Sequence, residues 1–251
     1  MAFAADKAPL EDSDDLIQKI QTHTLAHLAQ LPRYTCHEVI NRFVRRGTLT
    51  RQDTVELEVA IIDHEELFAR AGSDRFEERV IDRLVPNGTV GNGAFGTHLE
   101  VLFARGVANF KFMGAAKKDG HRTFRLNFVV PLERSRFLVK HSGMQATVPY
   151  EGSVWVDAVT LDLVRVEVHV NHIGPQLGLR SIEEIMHYGV MHIGNSDALL
   201  PHKSELAVNE LTGNGSVNLV ELQACREFQS DSIVKYAVPN QRSAAGEGQQ
   251  P

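Results

Sequence analysis

The chain has 251 residues and a mass of 27.9 kDa, enough for one large or two small units with a real core, which excludes a peptide-scale or fibrous protein. Charged residues make up 23% and hydrophobic residues 43%, near the averages of globular proteins, so the body of the chain is expected to fold rather than stay disordered. A net charge of -6 with a pI near 6.1 argues against a nucleic-acid partner, which needs clustered Lys and Arg, and no run approaches the roughly 20 apolar residues of a transmembrane helix.

The first residues, Met1-Ala2-Phe3-Ala4-Ala5-Asp6, contain Ala2-x-Ala4, the small-x-small pattern that precedes a signal-peptidase cut, with no basic or apolar stretch in front of it. Two readings stay open here: an exported chain that lacks its signal peptide, or a cytosolic start that happens to contain alanines. Residues 1–12 are expected to be a flexible N-terminus, 13–236 one domain and 237–251 a disordered tail, because Pro239 to Pro251 carries Gly, Gln, Ser and Ala without an apolar anchor.

Residues 13–31 predict an amphipathic helix, with Ser13 as N-cap and Asp14 and Asp15 at the positive end of its dipole. Its apolar positions are Leu16, Ile17, Ile20, Leu28 and Leu31, and Pro32 ends it. After that the period changes to two. Val55, Leu57, Val59 and Ile61 alternate with polar neighbours or alanine, as do Phe124, Leu126, Phe128 and Val130, and then Val164, Val166, Val168 and Val170. Asp119-Gly120 and Asn214-Gly215 suit two-residue hairpins with positive φ, and Ser142-Gly143 and Gly194-Asn195 are weaker forms of the same signal. Together they describe an antiparallel meander. One helical interruption falls in 75–106: Phe76, Val80, Ile81 and Leu84 at helical spacing, a glycine-rich loop, and Thr97-x-x-Glu100 as a capping box for a helix with Leu99, Leu102 and Phe103.

There are two cysteines, Cys36 and Cys225, each in a strand-like segment and without metal or redox spacing. Paired, they would close a loop of about 190 residues, worth about 5 kcal/mol against the unfolded chain, and would favour an oxidising compartment. Unpaired, they would be two buried thiols acting as small hydrophobes. Cys225 alternates with Val217, Leu219, Glu221 and Gln223, and Cys36 with Tyr34, Glu38 and Ile40.

Several motifs point to chemistry and are outweighed by their context. Gly91-x-Gly93-x-x-Gly96 fits the dinucleotide fingerprint, but hairpin-linked strands predict an antiparallel sheet and no βαβ unit. Among 12 histidines, His23 and His27 lie at i, i+4 without the Glu of His-Glu-x-x-His, so a solvated helix face is expected. His169 with His172, or His187 with His192, would need Glu183 or Glu184 to form a metal site. Ser232-x-x-Lys235 lacks its companion motifs, and no Gly-x-Ser-x-Gly occurs. Neither catalytic residues nor a metal or cofactor are expected.

The long amphipathic helix, then Leu31-Pro-Arg-Tyr-Thr-Cys-His-Glu38 opening a strand, then antiparallel strands with a helical insertion, resembles the LolA/LolB-type lipoprotein-carrier superfamily. Gly152-Ser-Val-Trp155-Val-Asp157 followed by Leu163-Val-Arg165-Val-Glu167-Val168 is similar to that family's aromatic-x-Asp strand and basic return strand, although Ala158-Val-Thr-Leu-Asp162 lacks the family's frequent turn glycine. The layout also resembles secreted proteins of environmental bacteria to which no activity is assigned. The resemblance implies an α+β fold, a strongly curved antiparallel half-barrel with the N-terminal helix and the helical insertion on its concave face. It also implies a hydrophobic cavity that takes an acyl chain.

The residues expected to line such a cavity are Val55, Leu57 and Val59, then Phe110, Phe112, Phe124, Leu126 and Phe128, then Val164 and Val166. The same residues would equally serve a filled core. The leading expectation is therefore a periplasmic or secreted, non-enzymatic protein that binds a lipid or lipoprotein acyl chain, with no protein partner legible. An envelope interaction or sensor module with a filled core, and a hydrolase with an unrecognised site, are the alternatives. An apolar cavity of about 300 Å³ or more separates the first from the second.

Overall fold

The computed structural model describes residues 13–62, 65–73, 75–76, 81–85 and 97–228. Helix α1 is Ser13–Ala29, followed by β1 (Tyr34–Arg46), β2 (Thr48–Ile62), β3 (Glu65–Arg70), a 3-10 turn at Ile81–Arg83 and helix α2 (Thr97–Phe103). The remaining strands are β4 (Asn109–Lys118), β5 (His121–Val130), β6 (Leu138–His141), β7 (Met144–Thr147), β8 (Tyr150–Asp157), β9 (Leu163–Val170), β10 (Leu179–Ile193), β11 (Ser196–Glu210) and β12 (Gly215–Glu227). No described helix is long and apolar enough to cross a membrane.

Ten strands form one antiparallel sheet in the order β3-β2-β1-β12-β11-β10-β9-β8-β5-β4, while β6 and β7 make a separate hairpin between β5 and β8. The sheet curls without closing, with β3 and β4 as its edges, so the α+β half-barrel expected from the layout is the one observed. The last strand returns to pair with the first, which places the β1/β12 seam inside the sheet rather than at its edges.

Local chemistry explains most of the turns. Asp119 (φ 49°) with Gly120 (φ 89°), and Ser142 (φ 50°) with Gly143 (φ 78°), take the doubly positive φ of type I′ hairpins, whose twist matches the flanking strands. The β11/β12 connection differs from expectation. It runs over residues 211–214, its positive φ falls on Gly213 (87°), and Gly215 is already the first residue of β12. The Gly91–Gly96 loop, Val80, Ser232, Lys235 and both terminal segments lie outside the described residues.

Two apolar clusters share the sheet. The first joins Ile20 and Leu28 of α1 and Leu99, Leu102 and Phe103 of α2 to strands β5 and β8 to β11. The second joins Tyr34, Cys36 and Ile40 of β1, Leu57, Val59 and Ile61 of β2 and Phe68 of β3 to Ile81 and Val85. Simple alternation predicts one wet face on β2, yet Glu58, Ala60 and Ile62 are buried as well. Ala60 and Ile62 pack with Leu67 against Phe76 and Phe228, so chain from beyond the strand covers the outer face at this end.

Gly152 is required by packing rather than by φ. A Cβ built there would come 1.9 Å from the Glu167 carbonyl oxygen and 2.6 Å from the Phe128 ring, so only glycine lets β8 lie flat between β5 and β9 with that ring across it.

Candidate functional site

Helix α1 lies across the concave face, touching β4 at one end and Leu163, Tyr188 and Leu199 toward the other. Of its 17 residues only Ile20, Thr24 and Leu28 are buried, with Leu16, Ile17 and Leu25 half-buried at the margins. The wall beneath the two helices is aromatic. Phe103 of α2 stacks on Phe110 of β4 at 5.4 Å, Phe110 lies 6.0 Å from Phe128, and Phe128 meets Tyr150 edge-on at 6.1 Å. Phe112 and Phe124 form a further pair at 5.7 Å, half-buried near the β4 edge.

The fit between helix and wall is incomplete. About 20 Å³ remains beneath α1, bordered by His23, Thr24, Leu28, Leu163, Tyr188 and Leu199, which is room for one water. The Thr24 hydroxyl is buried there without a hydrogen-bond partner among the described residues. Among the described residues the space beneath the seated helix thus falls well short of the roughly 300 Å³ that separates an acyl-chain cavity from a filled core. A second space of about 450 Å³ between α2 and the Leu132–Arg134 turn is lined by Glu100, Glu133, Arg134 and Arg136 beside Val101 and Val107, too polar a lining for an acyl chain.

The interior also holds acids. Glu38 points into the concave face between Leu222 and Leu57, its opposite residues on β12 and β2, and is 3% exposed. Burial, with the charge of Glu66 adding to it, pushes the Glu38 carboxyl up to about 8. Glu184 of β10 is pushed up to about 7 by the same two causes. Burial raises the phenols of Tyr34 and Tyr188 above the ordinary range, and Tyr188 donates to Met186 Sδ at 3.8 Å. Glu38 Oε2 and the Tyr34 hydroxyl have no hydrogen-bond partner among the described residues. Near neutral pH the Glu38 carboxyl is therefore largely protonated, able to donate as well as accept, while Glu184 is divided between its two forms.

The outer rim of α1 carries His23 and His27, whose Nε2 atoms lie 2.8 and 3.6 Å from Asp162 Oδ1. Asp162 ends the β8/β9 turn, which Asp157 holds: its Oδ1 accepts from the backbone N–H of Val159 and Thr160, and those bonds keep its carboxyl below the usual range. Leu161 stands in this turn at φ 65°, in the left-handed region that a glycine would take without strain. Sequence spacing alone predicts a solvated face for the two histidines. What it lacked was Asp162, 139 residues from His23 along the chain and brought in by sheet topology.

The ten expected lining residues divide. Phe110, Phe112, Phe124, Leu126, Phe128 and Val166 belong to the cluster under α1 and α2. Val55, Leu57 and Val59 belong to the second cluster, beyond the helix. Val164 joins neither, because a bulge in the β8/β9 pairing sets Leu163 opposite Val156 and gives Leu163 the inward place. Cys36 and Cys225 are bonded, with Cα atoms 4.1 Å apart. His187, also considered as a ligand, lies 3.3 Å from Asp119, and His192 lies 2.9 Å from Asp197.

No family model matches the chain, and no curated protein matches it in sequence. Among solved structures it is similar in fold to a LolA superfamily protein from Nitrosomonas europaea, at 10% identity and a TM-score of 0.46, over 85% of this chain and 94% of that one. It is also similar to a DUF1329 family protein from Desulfovibrio piger, at 9% identity and a TM-score of 0.43, over 86% and 95% of the two chains.

Proposed function

We propose that the protein is exported and non-enzymatic, and that it binds an apolar ligand, a lipid or lipoprotein acyl chain, between α1 and the aromatic wall of the half-barrel. The observation that carries this reading is the imperfect seat of α1: two fully packed apolar side chains, a buried hydroxyl without a partner among the described residues and a small void, over a wall of aromatic rings.

The magnitudes permit the helix to be displaced. Burying Ile20 and Leu28 contributes about 1.5–3 kcal/mol each, and the half-buried Leu16, Ile17 and Leu25 raise the total to about 5–8 kcal/mol as an upper estimate. A chain of about ten methylenes contributes roughly 8 kcal/mol on burial, enough to take the place of the helix on the wall. Export is supported by the Cys36 to Cys225 disulfide, a bond that persists in oxidising compartments.

The small space under the seated helix favours a second reading, an interaction or sensor module whose core is already filled. Two measurements separate them. Native mass spectrometry of protein purified from cells is expected to show bound lipid, and saturated fatty acids of increasing length are expected to bind from about ten methylenes upward with faster amide exchange in α1. No co-purified lipid and no binding at any length would leave the filled-core module.

A further inference from the structure

We propose that His23, His27 and Asp162 form a binding site for a divalent transition metal ion, zinc being the natural probe, and that the ion staples α1 to the β8/β9 turn. The ligand atoms of the three side chains all lie within 4.8 Å of one another. Zinc holds nitrogen and carboxylate oxygen at about 2.0–2.2 Å in a tetrahedron, which sets neighbouring ligand atoms about 3.3 Å apart. The two nitrogen-to-oxygen distances here, 2.8 and 3.6 Å, fall on either side of that spacing.

Each half of the site is held by its own element. The i, i+4 spacing puts both imidazoles on one face of α1, with ring centroids 4.4 Å apart. On the other side, the Asp162 carbonyl accepts from the Asp157 N–H at 2.8 Å, which fixes the backbone that presents its carboxylate. Hydrogen bonding alone leaves the arrangement incomplete. The 2.8 Å contact of His23 is a hydrogen bond, but the second nitrogen, at 3.6 Å from the same oxygen, is beyond hydrogen-bond range. A cation among the three atoms satisfies all of them. Two histidines and one carboxylate with a fourth position for water is a known zinc ligand set, and the part-exposed side chains leave that position accessible.

The site sits at the rim of the space beneath α1, so an ion there fastens the helix to the sheet. Metal binding itself does not depend on the lipid-binding reading, and the two fail separately. The test uses the full chain, stripped of metal with a chelator that is then removed, and titrates zinc chloride by calorimetry. One equivalent is expected to bind and to slow amide exchange in the second half of α1. His27→Ala, at an exposed position, and Asp162→Asn are each expected to weaken binding at least about tenfold. His192→Ala, which removes a close His–Asp contact elsewhere, on an exposed hairpin, is expected to leave it unchanged. Circular dichroism of each variant without metal checks that it folds. The proposal is overturned if the native chain shows no saturable one-to-one binding below about 100 μM. Equal binding by the His27→Ala variant and the native chain overturns it too, and that readout stands even if the Asp162 variant fails to fold.

Discussion

Cys36 and Cys225 meet because of a β-bulge. In the β1/β12 pairing Thr35 is opposite Arg226 and His37 is opposite Gln223, so Ala224 and Cys225 together face Cys36. Regular alternation would leave Cys225 on the outer face with Leu219, Glu221 and Gln223. Ala224, at φ 48°, takes up the extra residue and turns Cys225 toward Cys36. The bridge thus joins neighbouring strands inside the sheet and ties together the two halves of the chain, 189 residues apart.

Thiol titration under denaturing, non-reducing conditions is expected to find no free thiol. The Cys36→Ala/Cys225→Ala double variant is expected to lose about 2–5 kcal/mol of stability, read from its denaturant midpoint. Two reactive thiols in protein made in an oxidising compartment would contradict the bridge.

Ala224 is exposed and holds a backbone conformation that a Cβ disfavours by about 1 kcal/mol. Ala224→Gly is expected to raise the melting temperature by about 2–4 °C, and Ala224→Val to lower it. An unchanged midpoint in both would mean that residue 224 does not form the bulge.

Glu38 makes stability depend on pH in the alkaline direction. Its carboxyl has an ordinary value near 4.5 in the unfolded chain and about 8 in the fold, so the fold holds the proton more tightly. The stability from the neutral form is complete below about pH 4.5 and is lost as the pH rises through about 8. Glu184, raised to about 7, acts in the same sense. The native chain is expected to melt at lower temperature at pH 9 than at pH 5. Glu38→Gln, which cannot ionise, should shrink that difference and be the more stable protein at pH 9, by about 5 °C. Identical pH slopes for the two would show that Glu38 is not held neutral inside.

Thr24→Val replaces a buried hydroxyl that has no hydrogen-bond partner among the described residues by a methyl group of the same shape. We expect about 1 kcal/mol of added stability and slower amide exchange in α1. If lipid binds by lifting this helix, the variant also binds fatty acid more weakly, because the helix is harder to displace.

Gly152→Ala is expected to cost at least about 2 kcal/mol, since its Cβ would fall 1.9 Å from the Glu167 backbone carbonyl oxygen and 2.6 Å from the Phe128 ring. Near-native denaturant stability of that variant would contradict the close approach of β8 to its neighbours.

The elements and their class were legible in the order of residues alone. Alternation at 54–62, 122–130 and 164–170, hairpin dipeptides such as Asp119-Gly120, and the apolar stripe of α1 are local signals, since each depends on neighbours a few residues away. They suffice for an antiparallel sheet with helices laid on one face. Which residues share a site was not legible there, because that depends on register and on strand order. A bulge removed Val164 from the inward row and brought Cys225 onto the face of Cys36. Curling of the sheet buried Glu38 and Glu66 and set the half-buried Glu184 near them, from three separate strands, and the β8/β9 turn carried Asp162 to His23. Such contacts between distant residues leave no mark in local periodicity. The volume beneath α1 is decided by packing alone, for the same apolar pattern serves a seated helix and an open cleft equally well.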